Sequence, residues 1–441
     1  MLIVLGIFHL RMRIAVVGSG ISGLVAAFLL GRQHDVSIFE SNSYAGGHTN
    51  TVDVAWQRDR LAIDTGFIVY NDWTYPNFIG LLNELGVQTQ PTSMGFSVRC
   101  DRCGLEYAGT TLSTLFAQRR NLASLKHYRM LWDILRFNRE ALECLSVRDE
   151  ELTLGEFLQR GRYSKGFAEH YLLPMGAAIW SCPMVTFEQF PVRFIAEFYR
   201  NHGLLNVVNR PTWRVIRGGS RSYVEKLVDT LVERPRLNCP VSKVTRNGDA
   251  VEIRSAAGCE EFDEVVFACH SDQALKMLGD ADQLEQGTLK QFPYGENTAV
   301  LHTDESLLPR LKSVWSSWNY HVRQSEGRPS VTYNMNLLQG LDSKATYCVT
   351  LNETESIAPD RILGTYQYSH PIFTIQRTAA QRQHSKLIRH RRTSFCGAYW
   401  GNGFHEDGVV SALKVCAAFG IVPRWSTAEP SGVPIEVPCG V

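Results

Sequence analysis

The residues with the clearest capacity for chemistry stand near the two ends of the chain. At the front, Gly18-Ser19-Gly20-Ile21-Ser22-Gly23 gives the spacing G-x-G-x-x-G, and Glu40 follows it. Each part has a mechanical reason. Gly18 permits a tight turn, Gly20 lets backbone N–H groups approach a pyrophosphate, and Gly23 lets a helix pack closely on a strand. A helix begun here, with Ser22 in its first turn, points its positive end at phosphates, and Glu40 can accept hydrogen bonds from a ribose. That chemistry is dinucleotide binding. At the other end, residues 399–408 (YWGNGFHEDG) crowd three glycines, three aromatics, His405 and the acids Glu406 and Asp407 into ten positions.

The flanking sequence supplies the elements that such residues need. Residues 13–17 (RIAVV) read as a buried parallel strand, an apolar helix runs to Gly31, and a second strand, 36–39, ends at Glu40. This strand–helix–strand context separates the motif from a glycine-rich turn without a ligand. Residues 239–255 read as a hairpin from their Asn-Gly signal, and 261–270 as the next buried strand. Residues 394–400 predict a short strand entering a glycine turn, followed by an apolar helix after Asp407-Gly408. Glu406 and Asp407 then have two readings, helix capping and catalysis. His405 is either a proton acceptor or a packed ring. Phe190, Phe194 and Phe198, at i, i+4 and i+8, read as core or as the lining of an apolar pocket.

Composition narrows the class. A chain of 441 residues with 44% hydrophobic and 20% charged residues reads as globular, with two or three domains. Lys+Arg 45 against Asp+Glu 44 gives no field to attract nucleic acid. The 11 cysteines form no framework, so a cytoplasmic protein with reduced thiols is expected. Cys100 and Cys103 form a C-x-x-C without a second ligand pair, so the sequence predicts a hairpin tip and no metal. Residues 1–10 are apolar but lack a basic start and are too short to span a bilayer, so 1–11 read as an upstream extension. The Pro-rich residues 423–441 read as a flexible or loosely docked tail. Residues 118–139 carry six bases against Asp133 in a helical pattern. Such a helix either rests on anionic lipid, as a peripheral contact at the inner face of a membrane, or is an ordinary surface helix.

The choice between NAD and FAD rests on "ESNSYAGGHTNT", where Gly46-Gly47 follows Glu40. Here the chain resembles the flavin amine oxidase and phytoene desaturase superfamily, whose members carry such a pair close to the diphosphate, usually followed by Arg; this chain has His48. Residues 62–87 resemble the segment that brings a turn, here Gly66-Phe67, under the flavin, and Val241 matches the position that borders the adenine. A closer resemblance, through LHTDESLLP, WSSWNYH, TYNMNLLQGL, SHPIF and FCGAYWGNGFHEDGVVSA, is to FAD-dependent oxidoreductases encoded beside cyclopropane fatty acid synthases. The resemblance implies an α/β fold. Its Rossmann-like FAD-binding domain is discontinuous (12–95, 205–285 and 390–422), with an amine-oxidase-like mixed α+β substrate domain (96–204 and 286–389). It also implies FAD and a last helix aimed at the flavin's pyrimidine edge, with Gly397, Asp407, Gly408 and Val409 there; with no evident cysteine or histidine attachment site, the FAD is expected to be non-covalent. Tyr399, Trp400 and Phe404 would wall the substrate side, with His405, Tyr399 and Glu406 as catalytic candidates.

The implied reaction is hydride removal from an apolar substrate, most concretely a lipid acyl chain, with the electron acceptor open. Amine oxidases of the superfamily place a lysine near flavin N5; residues 291–311 contain none, and Asn297 and His302 there do not replace its chemistry. Oxidation of a small amine is the alternative, and a non-catalytic flavin-binding partner is an alternative of another class.

Overall fold

The computed structural model describes residues 11–146, 152–180, 182–323 and 330–427. Its organising feature is a four-stranded parallel sheet whose strands come from three distant stretches of the chain. In spatial order they are Thr393–Phe395, Glu264–Phe267, Arg13–Val17 and Asp35–Phe39. Alternate residues of the first strand feed opposite faces. Ile14 and Val16 join a core with helices Ile21–Leu30 and His405–Ala417, while Ala15 and Val17 join a core under an antiparallel sheet. That second sheet comprises Val241–Asn247, Ala250–Ser255 and Gly258–Phe262. Burial on both faces explains the unbroken apolar run of the strand.

The hairpin expected at 239–255 is present, but its turn is Gly248-Asp249, because Asn247 pairs with Ala250. Of the two turn residues only Gly248 has positive φ, +61°, the pattern of a type II′ turn.

A second body is built on a seven-stranded mixed sheet. Its order is Ile362–Pro371, Tyr294–His302, Cys348–Leu351, Ser330–Asn334, Trp318–Val322, Phe96–Cys100 and Leu105–Ala108. Helices between 112 and 201 cover it and share its core, which includes Phe137, Phe167, Phe187, Tyr320 and Val349. The helix Leu125–Ser146 buries Met130, Asp133, Phe137 and Ala141 on one side. On the opposite side Leu125 and Trp132 are 86% and 62% exposed, joined by Tyr128, Leu135 and Leu142. Phe137 is therefore core, whereas Leu122, Leu125 and Leu135 face solvent.

Among the described residues no helix is long and apolar enough to cross a membrane. Residues 1–10 and 428–441 lie outside the described residues. The start of the expected tail docks: the Thr427 N–H donates to Asn77 Oδ1 at 2.8 Å, and the Trp425 indole N–H donates to Glu84.

Candidate functional site

The two bodies meet around one cavity of about 1180 Å³, larger than the roughly 300–1,000 Å³ of ordinary small-molecule pockets. One end is made of backbone. Gly18, at φ +106°, receives the turn out of the first strand, and its N–H donates to the Phe39 carbonyl at 2.8 Å. A Cβ on Gly23 would stand 2.0 Å from the Gly18 carbonyl oxygen, so turn and helix meet only without one. A Cβ on Gly20 would meet nothing within 4 Å. Gly20 is also the N-cap of helix Ile21–Leu30 and supplies no side-chain cap, so first-turn N–H groups remain for an outside acceptor. Gly46-Gly47 lies against this loop: the Gly46 N–H donates to the Ser19 carbonyl at 2.9 Å, and Gly20 and Gly46 form an isolated bridge. Glu40 is buried, with Oε2 accepting from Ser19 N–H (2.9 Å) and Oγ (2.7 Å) and Oε1 from Asn42 N–H (2.8 Å).

Of the sequence-predicted positions, Gly18, Gly20, Ser22, Glu40, Gly46, Gly47, His48, Gly66, Phe67, Val241, Gly397, Tyr399 and His405 all line this cavity. Gly23, Glu406, Asp407, Gly408 and Val409 do not. Gly408 instead lets two helices touch, since a Cβ there would lie 2.8 Å from Ile21.

The segment 399–408 departs from its expected use. The last helix begins at His405, so Asp407 and Gly408 fall inside its first turn rather than before it. Glu406 is not placed to act on a substrate. Its carboxylate accepts from Asn77 N–H (3.0 Å), Asn77 Nδ2 (2.7 Å) and Phe78 N–H (2.8 Å), capping the start of helix Pro76–Glu84. Burial pushes its pKa up to about 7 against those donors. Asp407 caps its own helix, accepting from Phe404 N–H at 2.9 Å, and burial raises its pKa to about 6.

His405 stacks on Phe67 with ring centroids 3.6 Å apart, and its Nε2 lies 2.8 Å from the Tyr223 hydroxyl and 3.1 Å from Thr49 Oγ1. Burial drives its pKa down to about 3, so it is neutral. Trp400 turns away from the cavity to stack on His384. Tyr399, Gly403 and Phe404 remain as cavity wall, with Gly403 at φ +87°.

Several contributors had no local signal. Arg377 is fully buried and donates to the carbonyls of Tyr399 (3.1 Å) and Gly401 (2.6 Å), pinning this turn. His270 and His370 join His48 on the cavity wall, with ring centroids 5.9 Å and 5.3 Å from it. Burial lowers their pKa values to about 4 and about 3, and that of His48 to about 4, so these three imidazoles are polar but uncharged. Asn297 is buried and donates from Nδ2 to His370 Nδ1 at 3.0 Å, while His302 is sealed in the sheet against Thr350. Of the Phe stripe, Phe198 lines the cavity, Phe194 stacks on the cavity residue Phe373, and Phe190 is core.

A parallel sheet with an unsealed helix N-terminus, a buried carboxylate just past its edge strand and the Gly46-Gly47 pair defines a dinucleotide-binding protein. The comparisons specify it further. The family model for flavin containing amine oxidoreductase matches residues 21–343, and the chain belongs to that family, whose cofactor is FAD. A Mycobacterium tuberculosis protein named as a flavin-containing monoamine oxidase is 26% identical over 268 residues, 58% of this chain and 56% of that protein. This chain thus matches only about half the length of that relative. A fatty acid isomerase structure from P. acnes aligns with TM-score 0.65 and 13% identity, covering 93% of this chain and 99% of the other. An Exiguobacterium structure named for protoporphyrinogen oxidase aligns with TM-score 0.66 and 14% identity, covering 92% and 98%. These likenesses describe a shared fold.

The residues present fit FAD: the open position at Gly20, the uncapped helix start and the two glycine segments make a cradle that side chains would fill.

Proposed function

We propose that this protein is an FAD-dependent oxidoreductase that removes a hydride from an apolar substrate, a lipid acyl chain being the class that fits best. The observation that carries this reading is the far end of the cavity. It is walled by Phe96, Met175, Ile179, Trp180, Phe198 and Phe373, and among the described lining residues the only carboxylate is Glu40, at the glycine end. A substrate ammonium would find no ion-pair partner there, whereas an alkyl chain gains roughly 0.8 kcal/mol per buried CH₂. Bound FAD would supply the hydride acceptor. The protein's part is to hold the diphosphate at the helix start, orient the ribose through Glu40 and keep water from the apolar end. The neutral histidines 48, 270 and 370 lie along this wall as groups able to exchange hydrogen bonds with what binds there.

The same fold serves proteins named for a fatty acid, a porphyrinogen and amines, so fold alone does not choose a substrate. Amine oxidation is the second reading, favoured by the family match.

An acyl substrate implies access from a membrane. The cavity lining reaches the exposed residues Gly109 and Thr110, beside Leu112, which is 76% exposed. The exposed stripe Leu125, Tyr128, Trp132, Leu135 and Leu142 belongs to the next long helix, which also carries Lys126, Arg129, Arg136 and Arg139. This is the composition of a surface that rests on anionic lipid.

Anaerobic holoprotein mixed with phosphatidylglycerol vesicles is expected to lose its oxidised-flavin absorbance, and small amines to leave it unchanged. Bleaching by amines alone would contradict the acyl reading.

A further inference from the structure

Outside the cavity, the described residues contain two clusters of metal-ligand type. One of them, Asp282, Glu285 and His390, is already satisfied by arginines: Glu285 by Arg246 at 2.5 Å and Asp282 by Arg391 at 3.9 Å. The other is not of that kind. Strands Phe96–Cys100 and Leu105–Ala108 form a hairpin, with buried Cys100 at the end of the first strand and exposed Cys103 in the turn. His170, from the π-helical turn Ala168–Leu172, brings Nε2 to 3.7 Å from Cys103 Sγ. The two sulfurs and the imidazole nitrogen all lie within 4.8 Å of one another. Around a tetrahedral zinc, with bonds of about 2.3 Å to sulfur and about 2.0 Å to nitrogen, sulfur and nitrogen stand roughly 3.5 Å apart and two sulfurs roughly 3.8 Å. The S–N edge is thus close to its final length.

We propose that Cys100, Cys103 and His170 form a binding site for a thiophilic divalent cation of the zinc type, with a fourth position open to solvent. Soft thiolates plus imidazole select such ions over magnesium or calcium. The outer contacts hold the ligands in place. The Tyr107 hydroxyl donates to the His170 carbonyl at 2.6 Å, and Gln118 Nε2 donates to the Gly104 carbonyl at 2.8 Å. Binding forms two metal–sulfur bonds and one metal–nitrogen bond, breaks two S–H bonds and releases two protons to water, with no change of oxidation state.

The consequence reaches the substrate end. Tyr107, Tyr171 and Met175 line the cavity, from the same hairpin and from the helical stretch around His170. A cation here ties those two walls together, fixing the shape of the apolar end without touching FAD or substrate.

The test uses the full-length holoprotein, reduced and washed with chelator, titrated with Co²⁺ as the spectroscopic substitute for Zn²⁺. One Co²⁺ per chain is expected, with a thiolate-to-cobalt charge-transfer band that Zn²⁺ abolishes. C103S and H170Q should each weaken binding by at least tenfold, the lower end of what loss of a supporting contact costs, while FAD content stays at the parent level. Cys103 is exposed, so C103S decides the matter if H170Q loses FAD. Binding without the charge-transfer band, unchanged affinity in C103S, or a reduced protein that takes up no Co²⁺ and forms only a Cys100–Cys103 disulfide on reoxidation would each overturn the proposal.

Discussion

The glycine loop at residues 18–23 and the glycine-rich segment at 399–408 bound the same cavity but use their residues differently. In the first, side chains are absent where something must come close: a Cβ on Gly23 would strike the Gly18 carbonyl, while one on Gly20 would enter open space. In the second, the polar side chains are turned into the protein. Glu406 caps one helix, Asp407 caps another, and His405 is stacked and hydrogen-bonded. Only Tyr399, Gly403 and Phe404 of the original cluster are left to the wall, besides the edge of His405 and the small residue Asn402. Chemistry-capable residues close together in sequence therefore need not serve one site. A helix start has four N–H groups to satisfy, and nearby acids are drawn to them first.

The largest effect is expected at Gly23. A methyl group 2.0 Å from a carbonyl oxygen forces helix and strand apart, so Gly23→Ala should destabilise the apoprotein by roughly 3 kcal/mol, read from the denaturant midpoint. A wild-type midpoint would mean that the loop adapts freely. Glu406→Ala should come next, at about 2 kcal/mol, since it leaves buried donors of Asn77 and Phe78 without an acceptor. Should the variant keep its stability but lose flavin reduction, Glu406 would be catalytic and the comparison would fail.

A distributed effect should appear with pH. Burial lowers seven histidines, His48, His202, His270, His302, His370, His384 and His405, to about 3 or 4. Between the ordinary histidine value near 6.5 and about 4, the unfolded chain takes up protons that the folded chain refuses, so stability falls as pH falls. Asp64, Glu406 and Asp407, raised to about 6, 7 and 6, act in the opposite sense over much of that window. Seven against three leaves a net loss, on the order of 1.4 kcal/mol per pH unit for each unbalanced histidine. A denaturant midpoint that rises from pH 6.5 to pH 5 would contradict these environments.

The sequence was most legible where backbone geometry dictates residue type. The strand at 13–17, the helix to Gly31 and the turn at Gly18 are encoded within a few positions of each other, and so is the hairpin at 241–255, apart from which two residues form its turn. It was least legible where the site is assembled across the chain. Arg377 carries no local signal that it will be buried under the 399–401 turn. His48, His270 and His370 meet only because the parallel sheet and the long strand Ile362–Pro371 converge on one cavity. His170 lies 67 positions from Cys103, beyond the reach of any spacing rule for ligand pairs. Trp400, expected at the flavin, packs on His384 because its neighbour Tyr399 takes the cavity side of the turn.

The most direct test of the central claim, that the glycine end of the cavity is space reserved for FAD, is equilibrium FAD binding to Gly20→Val beside the melting temperature of its apoprotein. The open surroundings of Gly20 predict an apoprotein that melts with the wild type but has lost most of its FAD affinity. Wild-type FAD affinity in this variant would place the cofactor elsewhere and contradict the account.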